Sequence, residues 1–193
     1  MLRSRGRESG VSPIAAVLLT VLLLTGLAGC AVLDQRSRPE MEAAYGPNPP
    51  RIEASFASRN VSPEDTWKIY IKGSDPDGDL RFVNVALWFS RGNMTPIRLD
   101  VAQDQGRSIS GFLTLDIWAL PDSVFRFGSG DLRLSVALED RAGHISERFL
   151  LAVGVLGGAT QEPPPAGVFE ERSLGNIPVQ FIQIDSIGGA SWP

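Results

Sequence analysis

The sequence predicts an all-β domain between residues 51 and 155, built from seven antiparallel strands packed as a two-sheet sandwich. Three observations support this fold class. Segments rich in β-branched, aromatic and leucine residues recur at intervals of about ten to fifteen residues. Clusters of Gly, Pro, Asn and Asp separate these segments. In addition, two of the segments alternate between apolar and more polar residues.

The seven predicted strands are, in chain order, Arg51 to Ser58, Thr66 to Gly73, Leu80 to Ser90, Thr95 to Val101, Ser108 to Ile117, Asp131 to Glu139 and Ile145 to Gly154. In the second, Trp67, Ile69 and Ile71 alternate with a polar set that includes Tyr70, so we expect one face in the core and the other in solvent. The sixth shows the same alternation. The third is apolar at both parities, which predicts a central strand and leaves its orientation open.

Two turn sequences resemble those of bacterial immunoglobulin-like and cadherin-like modules. They are the run Ser74-Asp75-Pro76-Asp77-Gly78-Asp79 and the run from Leu138 to Ser146. The resemblance spans residues 51 to 155 and implies an immunoglobulin-like sandwich. The chain lacks the paired cysteines of antibody domains and carries His144 where such modules usually have Asn. Sandwiches of this kind host many functions, so the fold alone assigns none.

Composition excludes several classes of function. The formal net charge of −4 and the pI near 5.1 argue against a nucleic-acid partner, because phosphates require a basic face. A single cysteine rules out a disulfide framework and a thiolate zinc cluster. With only one histidine as well, the chain offers few ligands for a transition metal.

The first thirty residues have the pattern of an export signal. Arg3, Arg5 and Arg7 precede an uncharged stretch from Ser9 to Leu33, whose most apolar part is Ile14 to Leu24. A basic segment followed by about 7 to 15 apolar residues is typical of a signal peptide. A transmembrane helix needs about 20 apolar residues, so a retained membrane-spanning helix is the second interpretation.

The only cysteine of the chain ends the run Leu27-Ala28-Gly29-Cys30, which resembles the lipobox of bacterial lipoproteins at each of its four positions. The resemblance implies that residues 1–29 are removed by cleavage between Gly29 and Cys30. It also implies that a diacylglyceryl group is attached to the Cys30 sulfur and that the new amino terminus is acylated, for example with palmitate. Such chains attach a protein stably to a membrane. Because Ala31 rather than Asp follows Cys30, the family's sorting rule implies the outer membrane if the source is a diderm.

The regions that flank the predicted domain are polar or rich in Pro and Gly. Residues 30–50 are predicted to form the lipidated tether, with a short helix around Arg38 to Tyr45; about 20 such residues span about 65 Å when extended. Residues 156–193 are predicted to form a linker that leaves the domain and a flexible tail. Within the tail, a strand over Val179 to Ile184 either folds back on the sandwich or adds to a partner's sheet edge, with Val179, Phe181 and Ile184 as the contact residues.

Asp75, Asp77 and Asp79 place three carboxylates at alternate positions around Gly78, and such oxygen ligands favour Ca²⁺. The spacing does not fit an EF-hand. The alternative is an acidic surface turn in which the Asp side chains bond to local amides. Asp140 would complete a cation site only if its turn lies at the same end of the sandwich.

His144 is the only imidazole in the chain, and no Gly-x-Ser-x-Gly motif accompanies it. A hydrolytic triad needs a histidine within reach of both a nucleophile and a carboxylate. A lone histidine after a glycine in a turn is more typical of a solvated hairpin residue. No catalytic residue is therefore predicted.

Four tryptophans are candidates for a platform that stacks on sugar rings: Trp67, Trp88, Trp118 and Trp192. Packing in the core is the alternative, and it is favoured for Trp67, which shares parity with Ile69 and Ile71.

Together these features predict a non-enzymatic lipoprotein of the cell envelope, held to the membrane through Cys30 and facing the periplasm or the cell surface. It would act as a binding or assembly module for an envelope protein, without nucleic acid and without a required cofactor. The alternative is an accessory domain that binds a glycan or Ca²⁺ for an envelope enzyme system. An enzyme with an unrecognised carboxylate site is a third hypothesis.

Overall fold

The protein is a mostly β domain with two packed sheets and one short helix, as seen in a computed structural model that describes residues 36–89, 92–93, 96–120 and 131–179. The predicted signal peptide, its cleavage site at Gly29 and Cys30, and the tail residues Phe181 and Ile184 lie outside these ranges. Among the described residues, no helix combines the length and hydrophobicity that crossing a bilayer requires.

The elements in chain order are α1 (Arg38–Tyr45), β1 (Arg51–Ala57), β2 (Asn60–Val61), β3 (Thr66–Ser74), β4 (Leu80–Phe89), β5 (Gly92–Asn93), β6 (Ile97–Asp100), β7 (Ser108–Asp116), β8 (Asp131–Asp140), β9 (Phe149–Val155) and β10 (Ser173–Asn176). Two 3₁₀ turns cover Gln103–Gln105 and Ile117–Ala119. Within the described ranges, one sheet has the order β1-β3-β7-β10. The other has the order β2-β9-β8-β4-β5, with β6 also paired to β4.

A strand of the structure corresponds to each of the seven predicted strands. The largest shift is at β9, which begins at Phe149 rather than Ile145. The expectation of wholly antiparallel pairing is wrong, because β2 pairs with β9 and β10 pairs with β7 in parallel. Neither short strand is a run of β-branched, aromatic and leucine residues like those that identified the others, and each adds only to the edge of a sheet.

The core lies between the two sheets and is formed by the alternating residues of their central strands. Trp67, Ile69 and Ile71 of β3 are fully buried, as the alternation predicts. On β4, Val83 and Val85 face the core, which settles the orientation of the strand that is apolar on both sides. Burial of one such aliphatic side chain stabilises the fold by about 1.5–3 kcal/mol.

The C-terminal segment, residues 156–179, packs on the domain instead of leaving it as predicted. The Gln161 side chain bonds to the backbone of β3, and the Phe169 ring lies 5.6 Å from that of Tyr70. The Tyr70 hydroxyl donates to Glu171 at 3.0 Å. The Ile177 side chain enters the core. The expectation that Tyr70 faces solvent is wrong, because this segment covers the outer face of β3 and buries the ring.

The chain enters and leaves the sandwich at opposite ends. β1 begins beside Ser74, at the end where the turns 75–79 and 140–144 lie, which we call the acidic end. β10 runs parallel to β7 toward Asp116 and therefore finishes at the other end. The nine residues of β3 connect the two ends, a distance of about 30 Å at about 3.3 Å per residue.

α1 begins and ends where the sequence predicts. The Glu40 carboxylate accepts hydrogen bonds from the Ser37 amide and hydroxyl at 2.7 and 2.8 Å, and a proline stands in the first turn, where its missing N–H costs nothing. Gly46 ends the helix at φ +115°, a backbone conformation that favours glycine.

Candidate metal centre

The turns 75–79 and 140–144 lie side by side at the acidic end. The pairing of β4 with β8 sets Leu80 opposite Asp140. Leu80 directly follows the first turn, and Asp140 is the first residue of the second. The Arg141 amide then donates to Asp79, at 3.1 Å to its carbonyl oxygen and 3.0 Å to its Oδ2. The register of β4 with β8 thus places both turns at the same end of the sandwich, which is the condition for Asp140 to complete a cation site.

Asp75, Asp79 and Asp140 form the acidic cluster, in which one carboxylate oxygen from each residue lies within 4.8 Å of the others. Asp75 is 1% exposed and Asp140 is 2% exposed, while Asp79 is partly buried. Carboxylates are seldom buried unless they are paired or bind a metal. Three of them at this separation therefore need a compensating positive charge or protonation.

The hydrogen bonds of the turn use only part of the cluster. Asp75 Oδ1 accepts from the amides of Asp77 and Gly78 at 2.9 and 3.3 Å. Gly78 takes φ +82° to close this turn, a conformation that other residues rarely adopt. Asp75 Oδ2 and Asp79 Oδ1 are buried and accept no hydrogen bond within the part of the chain that the structure describes.

Burial and mutual repulsion make these carboxylates weaker acids. Burial first, and then the nearby charges of Asp75 and Asp140, raise the pKa of Asp79 to about 6, against the lowering effect of its backbone hydrogen bonds. Burial also raises the pKa of Asp75 above its ordinary value, against the effect of the two backbone amides that bond to it. Both shifts have the direction expected of carboxylates that share one partly buried site.

Asp77, the third residue of the predicted set, turns away from the acidic cluster. Its Oδ2 accepts the Asn48 amide at 2.7 Å and its Oδ1 accepts Asn48 Nδ2 at 2.9 Å. These hydrogen bonds lower the pKa of Asp77. Its carboxylate is packed so closely against Gly46 that a side chain there would collide with it. Asp77 therefore holds the segment after α1 against the sandwich.

His144 connects the acidic cluster to α1. Its Nδ1 lies 2.8 Å from Asp140 Oδ2 and its Nε2 lies 3.0 Å from Glu42 Oε1. Burial lowers the pKa of His144, but the hydrogen bonds to Glu42 and Asp140 outweigh it and the net shift is upward. The expectation of a solvated hairpin residue is wrong: His144 is 8% exposed, because α1 supplies Glu42 from across the chain.

The other candidate residues are dispersed. Val179 is partly buried against the core of its own domain, and its predicted partners Phe181 and Ile184 lie beyond the described residues, as do Cys30, Gly29 and Trp192. Of the remaining tryptophans, Trp67 is buried, whereas Trp88 is 36% exposed and Trp118 is 65% exposed. Trp88 lies on β4 and Trp118 in a 3₁₀ turn, so no two described tryptophans share an exposed platform on one strand.

Trp88 borders a groove of about 340 Å³ on the outer face of the second sheet, which we call the β4–β8 groove. Glu139 lies in the groove and is buried; it accepts Asn84 Nδ2 at 2.7 Å and pairs with Arg98 at 3.3 Å. Arg148 also lines it. An exposed indole beside paired polar groups is chemistry that suits a sugar or another polar ring.

No protein-family model, curated protein or solved structure matches this chain. What the chain does is therefore argued from its own residues and geometry.

Proposed function

We propose that this chain is a lipoprotein of the cell envelope, attached to a membrane through Cys30, and that its β domain acts as a non-enzymatic binding or assembly module. The observation that carries the proposal is the position of the only cysteine in 193 residues. It ends Leu27-Ala28-Gly29-Cys30, directly after the most apolar stretch of the chain. A basic leader with a short apolar segment is the export pattern that this attachment requires.

The test is metabolic labelling with a palmitate analogue, followed by mass spectrometry of the product. The full chain is expected to lose residues 1–29 and to carry acyl chains on residue 30. Cys30→Ser should abolish the label and release the protein from the membrane fraction, whereas a serine substitution at Ala31 should keep the label. An intact leader or an unmodified Cys30 thiol in the native product would refute the proposal.

Immunoglobulin-like is the specific sandwich that we propose for the β domain. The pairings β1-β3-β7 on one side and β9-β8-β4-β6 on the other support it. In immunoglobulin-type sandwiches the first, second and fifth strands share one sheet and the third, sixth and seventh share the other. Of the seven strands that the sequence predicts, six divide in this way; the fourth, β6, pairs with β4 in the second sheet, whereas the constant-type immunoglobulin fold has its fourth strand in the first.

The non-enzymatic part of the proposal is supported by His144. It is the only histidine of the chain, and carboxylates lie at both of its ring nitrogens. A general base needs a free nitrogen that can take a proton from the substrate or nucleophile. A histidine held between two carboxylates is better suited to joining two elements.

The module's partner is proposed to be an envelope protein that pairs with the chain beyond Val179. β10 finishes at the end of the sandwich opposite the acidic end, and Val179, the last residue that the structure describes, follows it by three residues. A deletion that tests it should remove residues 180–193 and no more, because Ile177 belongs to the core. Partners cross-linked to the full chain should be lost after this deletion and after Phe181→Asp, while the thermal stability of the domain stays unchanged. If the same partners are still cross-linked, the proposal that a partner pairs with the chain beyond Val179 is refuted.

A glycan-binding accessory domain is the second candidate, and the β4–β8 groove is the observation that favours it. Trp88 and Trp118 are both exposed, but only Trp88 lines the groove, so Trp118 serves as the control. Titration with soluble cell-wall glycan should quench tryptophan fluorescence. Trp88→Ala should weaken binding about two- to tenfold, because stacking on an aromatic ring contributes about 0.5–1.5 kcal/mol. Trp118→Ala should leave it unchanged. Equal effects of both substitutions, or no saturable response, would exclude the groove.

A further inference from the structure

We infer that Asp75, Asp79 and Asp140 form a Ca²⁺ site, and that cation binding fastens α1 to the acidic end of the sandwich through His144. The site differs from the set that the sequence suggests, since Asp140 takes part and Asp77 does not. It is also independent of Cys30. Only its effect on the reach of the membrane tether rests on the proposed lipid attachment.

The spacing of the acidic cluster fits this cation. Ca²⁺ binds oxygen at about 2.3–2.6 Å, so two ligands on opposite sides of one ion lie about 4.8 Å apart. One oxygen from each of the three residues lies within 4.8 Å of the others, so an ion at their centre lies at most about 2.8 Å from each, and a small closing of the turns brings all three to the Ca–O distance. Water would complete the six to eight ligands that Ca²⁺ takes, because Asp79 is partly open to solvent.

The buried oxygens without hydrogen bonds are an independent sign of a ligand. Asp75 is 1% exposed, yet its Oδ2 accepts nothing from the described residues, and Asp79 Oδ1 is in the same situation. Leaving a buried charged acceptor without a partner costs more than leaving a neutral one, because nothing offsets the loss of its hydration. A cation supplies what both oxygens lack.

The donor set selects a hard cation. Three carboxylates and water suit Ca²⁺, Mg²⁺ or Mn²⁺, whereas zinc and copper favour imidazole and thiolate. Both ring nitrogens of His144 are already engaged by Asp140 and Glu42. Mg²⁺ demands a nearly octahedral site at about 2.0–2.1 Å, and turns of this kind accommodate the more flexible geometry of Ca²⁺ more readily.

Asp140 transmits the binding to α1. Its Oδ1 accepts the His144 amide at 2.8 Å and its Oδ2 accepts from His144 Nδ1 at 2.8 Å. Each carboxylate oxygen accepts two bonds, so these contacts leave Asp140 able to hold a cation. A cation that fixes Asp140 also fixes the ring of His144, since partners of metal ligands orient one another. His144 Nε2 then holds Glu42 of α1.

If the chain is attached to a membrane through Cys30, as proposed, the coupling between the cation and α1 changes the length of the tether. With α1 fastened, the part of the predicted tether that lies before the helix is residues 31–37, whose fully extended length is about 23 Å at about 3.3 Å per residue. With α1 released, that part grows to residues 31–47, because Asp77 still holds Asn48, and its fully extended length is about 56 Å at about 3.3 Å per residue. Ca²⁺ would therefore set how far the β domain stands from the membrane.

The experiment uses the full chain in detergent, stripped with a chelator and titrated with CaCl₂. Calorimetry should show one saturable site with a dissociation constant between about 10⁻⁴ and 10⁻³ M, the range of extracellular Ca²⁺ modules, and a rise in melting temperature. Asp79→Asn and Asp140→Asn should each weaken binding at least about tenfold. Asp77→Asn is the matched control, because it removes the same charge from the same turn but outside the acidic cluster. It should weaken binding less than about threefold.

Hydrogen exchange tests the coupling. Ca²⁺ should slow exchange of the α1 amides at least about threefold in the native chain and leave them unchanged in His144→Gln, which keeps the three ligands. The proposed site is overturned if no binding saturates below about 10 mM, or if Asp77→Asn impairs binding as much as Asp79→Asn. The coupling is overturned if Ca²⁺ binds without protecting α1. Because Cys30 takes no part, failure of the lipid attachment would leave all these measurements unchanged.

Discussion

Ile177 offers the sharpest test of where the folded domain ends. Its side chain is 1% exposed in the core, and its amide donates to the Thr114 carbonyl at 2.8 Å. Ile177→Ala removes three carbons, which at about 0.8 kcal/mol each lose about 2.4 kcal/mol of burial. The cavity left behind adds about 1–2 kcal/mol. We therefore expect the free energy of unfolding to fall by about 3.5–4.5 kcal/mol.

The assay is urea unfolding followed by tryptophan fluorescence, with Val168→Ala as the control. Val168 lies in the same C-terminal segment but is more than a third exposed, so its truncation should cost less than about 1 kcal/mol. Both variants should keep the native m-value, since the same surface unfolds. If Ile177→Ala costs no more than the control, the C-terminal segment does not belong to the cooperative unit, and a shorter domain with a free tail would be correct.

Three further predictions concern single contacts. Trp67→Phe removes the indole bond to the Ser58 carbonyl, 3.0 Å long and buried, and should lower the free energy of unfolding by about 1–3 kcal/mol in urea. Burial and the bond to Glu171 raise the pKa of Tyr70, so the folded protein keeps the phenol proton to a higher pH than the unfolded chain does. The free energy of unfolding should therefore fall as pH rises above about 10. An absorbance titration of the phenolate checks this, with Tyr70→Phe as control. Gly46→Ala forces a side chain into φ +115° and should cost about 1–2 kcal/mol and speed amide exchange in α1, but not in β3.

Most strands could be predicted because each is a run of consecutive β-branched, aromatic and leucine residues between turn residues, and two of them also alternate between apolar and more polar residues. Trp67, Ile69 and Ile71 identify both the strand and its buried face without any knowledge of its neighbours. β2 and β10 have only two and four residues, so neither shows a period. The Pro and Gly content of residues 156–167 is typical of a linker. Hydrogen bonds between Gln161 and the backbone of β3, and from the Glu162 amide to Ser58, hold this segment in place, and these bonds connect distant parts of the chain.

The candidate site was predictable only as far as local sequence reaches. Asp75 and Asp79 belong to one turn, and their spacing alone marks an oxygen-rich loop. Asp140 joins them through the register of β4 with β8, which no local pattern encodes. Asp77 is not part of the acidic cluster because its carboxylate bonds to Asn48. Gly46 permits this contact, since a side chain at that position would collide with the Asp77 carboxylate. Pairings of such high sequence separation are set by topology rather than by spacing.

The opposite placement of the chain's entry and exit determines how the domain would carry a mechanical load. If the chain is attached as we propose, through Cys30 before β1 and to a partner after β10, a pull between the two attachments acts along the strand axes. The ladder hydrogen bonds lie across those axes, so the force shears all the bonds of a pair at once instead of opening them one by one. An envelope protein with this arrangement would resist stretching between its two attachments, and β10, with three paired positions against six for β1, would yield first.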